Sequence, residues 1–334
     1  MIRVWFNHWF STSYRLIELM KEDKEEQIYV IGSNQQKDSA IQNVCEEWYE
    51  EPNVKGEDYI LFCLDFCKEH KIDVFVPRRQ MVEISQNKGR FLELGVKVMV
   101  DDDSTIHILN DKAATYEYFK DCNELHIPEY RIVNNVTEFE SAYHDLRKDY
   151  NQVCTKFVKD EGGMSFRKVV ENVDRFQRLA IYPGTEIEYE VLRDTLKEKE
   201  EFHDLMVMPY LPEHEISVDC LETKDGLIAV TRMKGSTRQE RVVYDEQILN
   251  MVRIIMNKVK LQYPCNIQFK LKDHIPYLLE INTRMSGGLQ MSCLAADVNI
   301  PNIALNKLLE KDVSWTMKRQ ETIVSYIEIP KIIS

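Results

Sequence analysis

The chain has 334 residues, a formal net charge of −13 and eight cysteines scattered at 45, 63, 67, 122, 154, 220, 265 and 293. Such a length supports two or three cooperating subdomains, and the ordinary composition sets aside disordered and fibrous classes. The acidic balance argues against a nucleic-acid partner, which needs a concentrated basic face, and the cysteine spacing signals neither a disulfide frame nor a zinc site.

The opening MIRVWFNHWFSTSYRLIELM lacks the charged, apolar and small-residue succession of a secretion signal. No apolar run approaches the roughly 18 residues that span a bilayer, so a cytoplasmic protein with no membrane partner is expected. Over the first hundred residues, IRVWF, QIYVIG, IDVFVP and VKVMV read as strands. STSYRLIELMKE, DYILFCLDFCKEH and QMVEISQNKGRFLELG read as the helices between them. Strands and helices alternating at this spacing predict an α/β domain with a parallel sheet. Only Gly32 stands near either of the first two strand ends, so no dinucleotide-binding glycine motif is present.

Next come a helix, KAATYEYFKDCNEL, with Pro128 as its stop, a second helix, VTEFESAYHDLRKDY, and a strand, QVCTKFVKD, running into EGGMSFRKVV. EIEYEVLRDTLKEKEEFHD reads as a solvated helix and LMVMPYLPEHEISVDCL as apolar strand segments. Asp225-Gly226 then marks a hairpin, YDEQILNMVRIIMNKVKL a helix, and IPNIALNKLLEK and ETIVSYIEIP a closing helix and strand, an α+β pattern.

Three segments carry chemistry. In CNIQFKLKDHIPYLLEINTR, strands over 266–271 and 277–282 would bury Ile267, Phe269, Leu271, Tyr277, Leu279 and Ile281. A turn near His274 would then set Gln268 opposite Glu280 and Asn266 opposite Asn282. Oxygen-bearing side chains so gathered suit a hard divalent cation shared with substrate phosphates, or form the polar face of a solvated hairpin. Beyond them Arg284 suits a phosphate, and Gly287-Gly288 let the backbone approach a ligand. In TKFVKDEGGMSF, Lys156 with Gly162, Gly163 and Ser165 reads as a turn able to wrap a phosphate, or as a plain surface hairpin. In LMVMPYLPEHEISVD, an apolar stretch ahead of Glu215, Ser217 and Asp219 on one face suits a purine slot with a carboxylate for ribose, or a strand crossing between subdomains.

Taken in order, these segments resemble the ATP-grasp superfamily, nearest to the large subunit of carbamoyl-phosphate synthetase in a short, stand-alone form. The specific element is the Gln of NIQF followed by Glu-x-Asn-x-Arg in EINTR; NDKAATYEYF, VCTKFVKDEGGMSF and VMPYLPEHEISVD agree upstream, so the likeness covers about residues 72–300. The sequence departs from the family pattern at Phe157, at Met208-Pro209 and at Thr283.

The resemblance implies a pre-grasp domain over 1–103 and an ATP-grasp domain over 104–334, with a small lid subdomain at about 128–206 and a C-terminal subdomain at about 207–334. It implies that Lys112 and Lys156 meet ATP phosphates or the adenine side, that Gly163 and Ser165 lie in the phosphate lid, and that Met208, Pro209, Tyr210 and Leu211 meet adenine. Glu215 would bind ribose; Gln268, Glu280 and Asn282 would hold Mg2+ or Mn2+; Arg284 with Arg232 would steady the transferred phosphoryl group. The implied activity is an ATP-dependent carboxylate-amine ligase working through an acyl phosphate on small-molecule substrates. A non-catalytic ATP-binding regulatory or scaffold protein, or a split carbamoyl-phosphate synthetase-like subunit, is the alternative. The oligomeric state is open, a homodimer included.

Overall fold

The computed structural model describes residues 1–8, 10–22, 26–160, 163–174, 176, 179–180, 184–235 and 238–333. The chain divides into two compact units, one of residues 1–109, 214–268 and 281–334, the other of 110–213 and 269–280.

In the first unit, β1 (Ile2–Phe6), β2 (Ile28–Asn34), β3 (Glu47–Glu50), β4 (Val74–Val76) and β5 (Lys97–Val98) form a parallel sheet in the order β3-β2-β1-β4-β5. Helix α1 (Ser13–Lys21) follows β1, α2 (Glu57–Glu69) follows β3, α3 (Met81–Gln86) and α4 (Lys88–Glu93) follow β4, and α5 (Asp103–Leu109) follows β5. A central parallel strand is covered on both faces, so β1 buries Val4, Trp5 and Phe6 in succession. Trp5 stacks on Phe75 and Phe66 at centroid distances of 3.9 and 4.4 Å, whereas Val4 and Phe6 join Leu16, Ile17 and Met20 of α1 in a separate cluster.

Sequence order along the sheet reverses between β1 and β4, and in such sheets the crevice past the strands' C-terminal ends is where ligands bind. His8 stands there, buried, with Nδ1 3.0 Å from Ser13 Oγ and Nε2 3.1 Å from the Val76 carbonyl. A carbonyl only accepts, so Nε2 carries the proton and Nδ1 accepts from Ser13. Two expectations shift in this unit. The single helix over 80–95 is broken at Asn87, whose side chain donates to the Glu83 carbonyl at 2.9 Å. The short strand β3 is hidden in sequence by its glutamates.

In the second unit α6 (Lys112–Phe119) ends well before Pro128, in a turn closed by the Cys122 N–H on the Phe119 carbonyl at 2.9 Å. The strands β6 (Arg131–Val133), β7 (Val153–Phe157), β8 (Arg167–Val170), β9 (Glu186–Glu188) and β10 (Leu205–Pro209) form a sheet in the order β6-β10-β7-β8-β9, antiparallel except for β8 with β9. Two helices, α7 (Val136–Leu146) and α8 (Tyr189–Leu196), accompany it. Alternate residues of β10 enter different cores: Leu205 and Val207 pack with Phe139 and Tyr143 of α7, Met206 and Met208 with Tyr116 of α6. The charged stretch expected as a wholly solvated helix buries Leu192 and Leu196 of α8 in the α7 core.

Returning to the first unit, β11 (Glu215–Thr223), β12 (Gly226–Lys234), β13 (Gln239–Val243), helix α9 (Glu246–Val259), β14 (Cys265–Lys272), β15 (Ile275–Asn282), helices α10 (Leu289–Ala296) and α11 (Ile300–Leu308), and β16 (Thr322–Ser325) complete the chain. The sheet order is β15-β14-β11-β12-β13-β16, and residues 269–280 of its first two strands count with the second unit. Thr223 pairs with Gly226, so the tight loop is Lys224-Asp225, one residue earlier than expected, and Gly226 opens the return strand at φ +119°. The turn of β14 into β15 falls on Asp273 and His274, both with positive φ, as a two-residue hairpin of the I′ kind requires. Strict alternation fails in β15. Pro276 and Leu278 are buried, Tyr277, Leu279 and Glu280 are half-buried, and Ile281 is buried, so the burial phase slips at Leu279-Glu280.

The buried His8 imidazole makes stability depend on pH. Burial, followed by the charge of Arg78, lowers its pKa to about 3; the Val76 hydrogen bond opposes this and the Arg284 charge adds to it. The unfolded chain takes up this proton near pH 6.5 and the folded chain only near 3, so the contribution is whole above pH 6.5 and is lost as pH falls toward 3. Urea unfolding at pH 7 and pH 5 should differ by about 2 kcal/mol on this account, and His8→Asn should flatten that difference.

Candidate functional site

In the second unit the N-cap Asp111 accepts from the Ala114 N–H at 2.9 Å, which starts α6 at Lys112. The buried Lys112 ammonium donates to the Asp160 carboxylate at 2.8 Å and to the Asp160 carbonyl at 3.0 Å, and lies 3.9 Å from the Glu280 carboxylate. Asp160 also accepts from the Ser165 N–H at 2.9 Å and from the Ser165 hydroxyl, while Ser165 Oγ accepts from the Phe157 N–H at 2.8 Å. Burial works to raise the Asp160 carboxyl, but the hydrogen bonds from Lys112 and Ser165 and the lysine's charge outweigh it and hold the group below its ordinary value. Gly163, at φ +66°, accepts from the Phe166 N–H in the turn that returns the chain to β8. Gly162 lies outside the described residues.

Lys156 pairs with Met206 across β7 and β10 and therefore faces α6. Its ammonium is 3.4 Å from the Tyr116 hydroxyl, which donates to the Leu279 carbonyl at 2.9 Å. Burial, and then the charge of Glu280, pushes the Tyr116 phenol well above its ordinary range, so it stays a donor. Met208, Pro209 and Leu211 are buried; the Tyr210 N–H donates to the Gln152 carbonyl at 2.9 Å, and the Tyr210 ring lies 4.9 Å from the Lys168 ammonium. Lys112 thus neighbours Glu280 and is joined to Ser165 through Asp160, which the sequence did not single out. Its position, closing a predicted strand just ahead of a glycine turn, was the available signal.

In the first unit the β11–β12 register sets Ser217 opposite Arg232, and Glu215 forms an ion pair with Lys234 two positions along. Arg232 is only 2% exposed. Its guanidinium meets Asp219 at 2.9 and 3.1 Å, Glu240 of β13, and the Ser292 hydroxyl at 2.9 Å. Ser286, Ser292 and Asn266 all donate to Asp219, at 2.6, 2.6 and 2.8 Å. Burial opposes the guanidinium's charge, yet Asp219 and then Glu240 carry its pKa above the ordinary value. The arginine expected beside a phosphoryl group is therefore enclosed by two carboxylates.

Gln268 donates to Asn266 at 3.1 Å. Asn266 itself is wholly buried among Ser217 and Asp219 rather than forming a surface pair with Asn282. Asn282 is half-buried at the end of β15, and Arg284 donates to the Met285 carbonyl at 3.4 Å. The glycine expected to admit a ligand has another purpose: a Cβ on Gly288 would overlap the Arg232 guanidinium, and one on Gly287 would meet Thr12 Oγ1 at 3.2 Å. Oxygen donors on Gln268, Glu280 and Asn282 match the preference of Mg2+ or Mn2+. Among the described residues no three His, Cys, Asp or Glu side chains gather for a metal, and no helix is long and apolar enough to cross a membrane.

Residues 201–330 match a family model described as ATP-grasp in the biosynthetic pathway with Ter operon. No curated protein matches the sequence. Among solved structures, N5-carboxyaminoimidazole synthetase from Staphylococcus aureus, complexed with ADP, is 12% identical with a TM-score of 0.71 over 98% of this chain and 82% of that one. The biotin carboxylase domain of Hydrogenobacter thermophilus 2-oxoglutarate carboxylase, a dimer in complex with MgADP and bicarbonate, is 16% identical with a TM-score of 0.67 over 94% and 71%. An L-amino acid ligase from Bacillus licheniformis is 13% identical with a TM-score of 0.64 over 92% and 74%. The likeness is one of fold: a parallel-sheet α/β domain followed by an ATP-grasp fold.

The Arg232 cluster sets a direct test. Gly288→Ala forces the guanidinium from its carboxylates and should cost about 3 kcal/mol in urea unfolding. Gly287→Ala, which needs only the Thr12 side chain to give by a few tenths of an ångström, should cost less, about 1 kcal/mol.

Proposed function

We propose that the chain is an ATP-dependent ligase that activates a carboxylate as an acyl phosphate for attack by an amine. The observation that carries this is the buried Lys112 ammonium beside both Asp160 and Glu280, on an ATP-grasp fold whose named neighbours include structures with ADP bound. A charge held this way is preorganised for a polyphosphate, because its position is already fixed by carboxylates.

In this reading Lys112 and Lys156 meet the phosphates or the adenine side, Gly163 and Ser165 form the turn that covers them, and Met208 to Leu211 flank the base. Glu215 meets ribose, exchanging its bond with Lys234 for the hydroxyls. Gln268, Glu280 and Asn282 hold Mg2+, which neutralises charge on the phosphoryl oxygens. Arg284 steadies the transferred group. Arg232 acts through its neighbours, holding the segment from Ser286 to Ser292 that follows Arg284.

A carboxylate oxygen of the acid attacks the γ-phosphorus, the bond from that phosphorus to the bridging oxygen breaks, and ADP leaves. The amine nitrogen then attacks the acyl carbon, the C–O bond to phosphate breaks, and the nitrogen loses a proton. No side-chain nucleophile is needed, so positioning and charge carry the catalysis.

The neighbours include a bicarbonate complex and an L-amino acid ligase, so the fold alone leaves the acid unassigned. The motif likeness to carbamoyl-phosphate synthetase makes bicarbonate with ammonia one pair to include. ADP release measured over paired acids and amines should fall about a hundredfold in Glu280→Gln with the productive pair. Unchanged turnover would remove Glu280 from the site. ATP binding without ADP release from any pair would favour a regulatory nucleotide-binding protein.

A further inference from the structure

Asp101 follows β5 in the first unit at only 2% exposure, and the proposed reaction makes no use of it. Its Oδ1 accepts from the Gln262 N–H at 2.6 Å. Oδ2 is buried as well, and among the described residues no hydrogen bond reaches it. An ionised carboxyl with one oxygen unmet and out of water is costly, whereas the same group opened to solvent is not.

The Gln262 residue is gripped from its other side too. Lys307 of α11 donates to the Gln262 carbonyl at 2.6 Å and to the Glu222 carbonyl at 2.8 Å. Gln262 thus meets a carboxylate through its N–H and an ammonium through its C=O, two charge-assisted bonds on one exposed residue. It lies in the connection 260–264 between α9 and β14, which leaves the helix through Lys260 at a left-handed φ of +54°. Directly after this connection comes β14, which bears Asn266 and Gln268, so whatever seats Gln262 also seats the start of that strand.

Four charged or titratable side chains act on Asp101: Lys88 of α4, Asp102, Tyr263 and Lys307. Lys88 pairs with Asp102 at 3.4 Å and lies 5.5 Å from the Tyr263 ring centroid. Burial lowers the Lys307 ammonium against the charges of Asp101 and Glu222, and burial, then the charges of Asp101 and Asp102, pushes the Tyr263 phenol up to about 12. We infer that Asp101 is a charge-released latch on the connection 260–264: neutral, it stays buried against the Gln262 N–H, and on losing its proton it favours a form in which that connection opens and the carboxylate reaches water. Burial, foremost, raises the Asp101 carboxyl to about 6; the Gln262 bond, the Lys88 charge and the Tyr263 backbone oppose this, and the Asp102 charge adds to it. Opened to water, the carboxyl titrates near its ordinary 3.8, so opening is favoured as pH rises from 3.8 to about 6 and levels off above. The latch is shut in mild acid and loosened at neutrality.

Hydrogen exchange on the full chain, corrected for the intrinsic pH dependence of amide exchange, should show segment 258–266 opening about tenfold more often at pH 7 than at pH 5. Asp101→Asn keeps an acceptor for the Gln262 N–H but carries no charge, and should abolish that difference. Lys88→Gln, at a partly exposed side chain, removes a charge that favours the buried carboxylate and should raise opening at pH 7 further. The His8 effect has the opposite sign, weakening the whole fold as pH falls, so the two are told apart by direction. Opening that is equal at the two pH values, or greater at pH 5, overturns the inference, as does an Asp101→Asn chain that keeps the wild-type difference. Should Asp101→Asn fail to fold, a Lys88→Gln chain that opens no more than wild type at pH 7 overturns it equally. Exchange needs no turnover, so its outcome is independent of the ligase reading.

Discussion

Arg232 sets the terms for the unit that holds it. A guanidinium taken wholly out of water is tolerable only when its charge is matched and its donors are used, and a single carboxylate would leave several N–H groups unmet. Asp219 and Glu240 supply the charge, and Ser217, Ser286 and Ser292 take remaining bonds. Those partners come from β11, β13 and the start of α10, so one cation ties three elements together. Gly288 follows from the same constraint, since only a residue without a Cβ leaves room for the guanidinium. Gln268 inherits its orientation too, through Asn266 and Asp219.

Much of the fold was legible because its period is strong. The β1 run of apolar residues flanked by amphipathic helices admits few arrangements other than a covered parallel sheet, and the structure has that sheet. What escaped were features whose causes are tertiary. The β3 strand carries glutamates that no propensity assigns to a strand, yet Arg3 meets Glu47 at 3.0 Å and makes it tolerable there. The break at Asn87 is a side chain competing for a helix carbonyl, a bond with no signature in hydrophobic spacing. The slip in β15 is of this kind too: two adjacent half-buried positions look like noise in a period of two.

The candidate site divides along the same line. Residue types tied to one strand, such as Glu280 and Asn282, are singled out by alternation. Lys112 and Ser165 were reached by resemblance to a family, but the carboxylate that joins them was not. Asp160 lies 48 residues from Lys112 and only five from Ser165, so half of the link is local and half depends on the fold. Arg232 shows the opposite error. An arginine in a strand next to a glycine-rich segment invites a ligand role, and only burial and partner count reveal that its charge is already spoken for.

The distribution of charge gives these placements a common logic. In this strongly acidic chain the buried cations are fixed by carboxylates. The buried Lys112 ammonium is held at a fixed point by the neighbouring Asp160 carboxylate. Arg79 is likewise held by the buried Glu51. The buried imidazole of His8 stays neutral instead, since a positive charge there would be poorly solvated and repelled by Arg78 and Arg284. Buried positive charge in the first unit is thus either matched by carboxylates, as on Arg232, or avoided by a side chain that sheds its proton, as on His8.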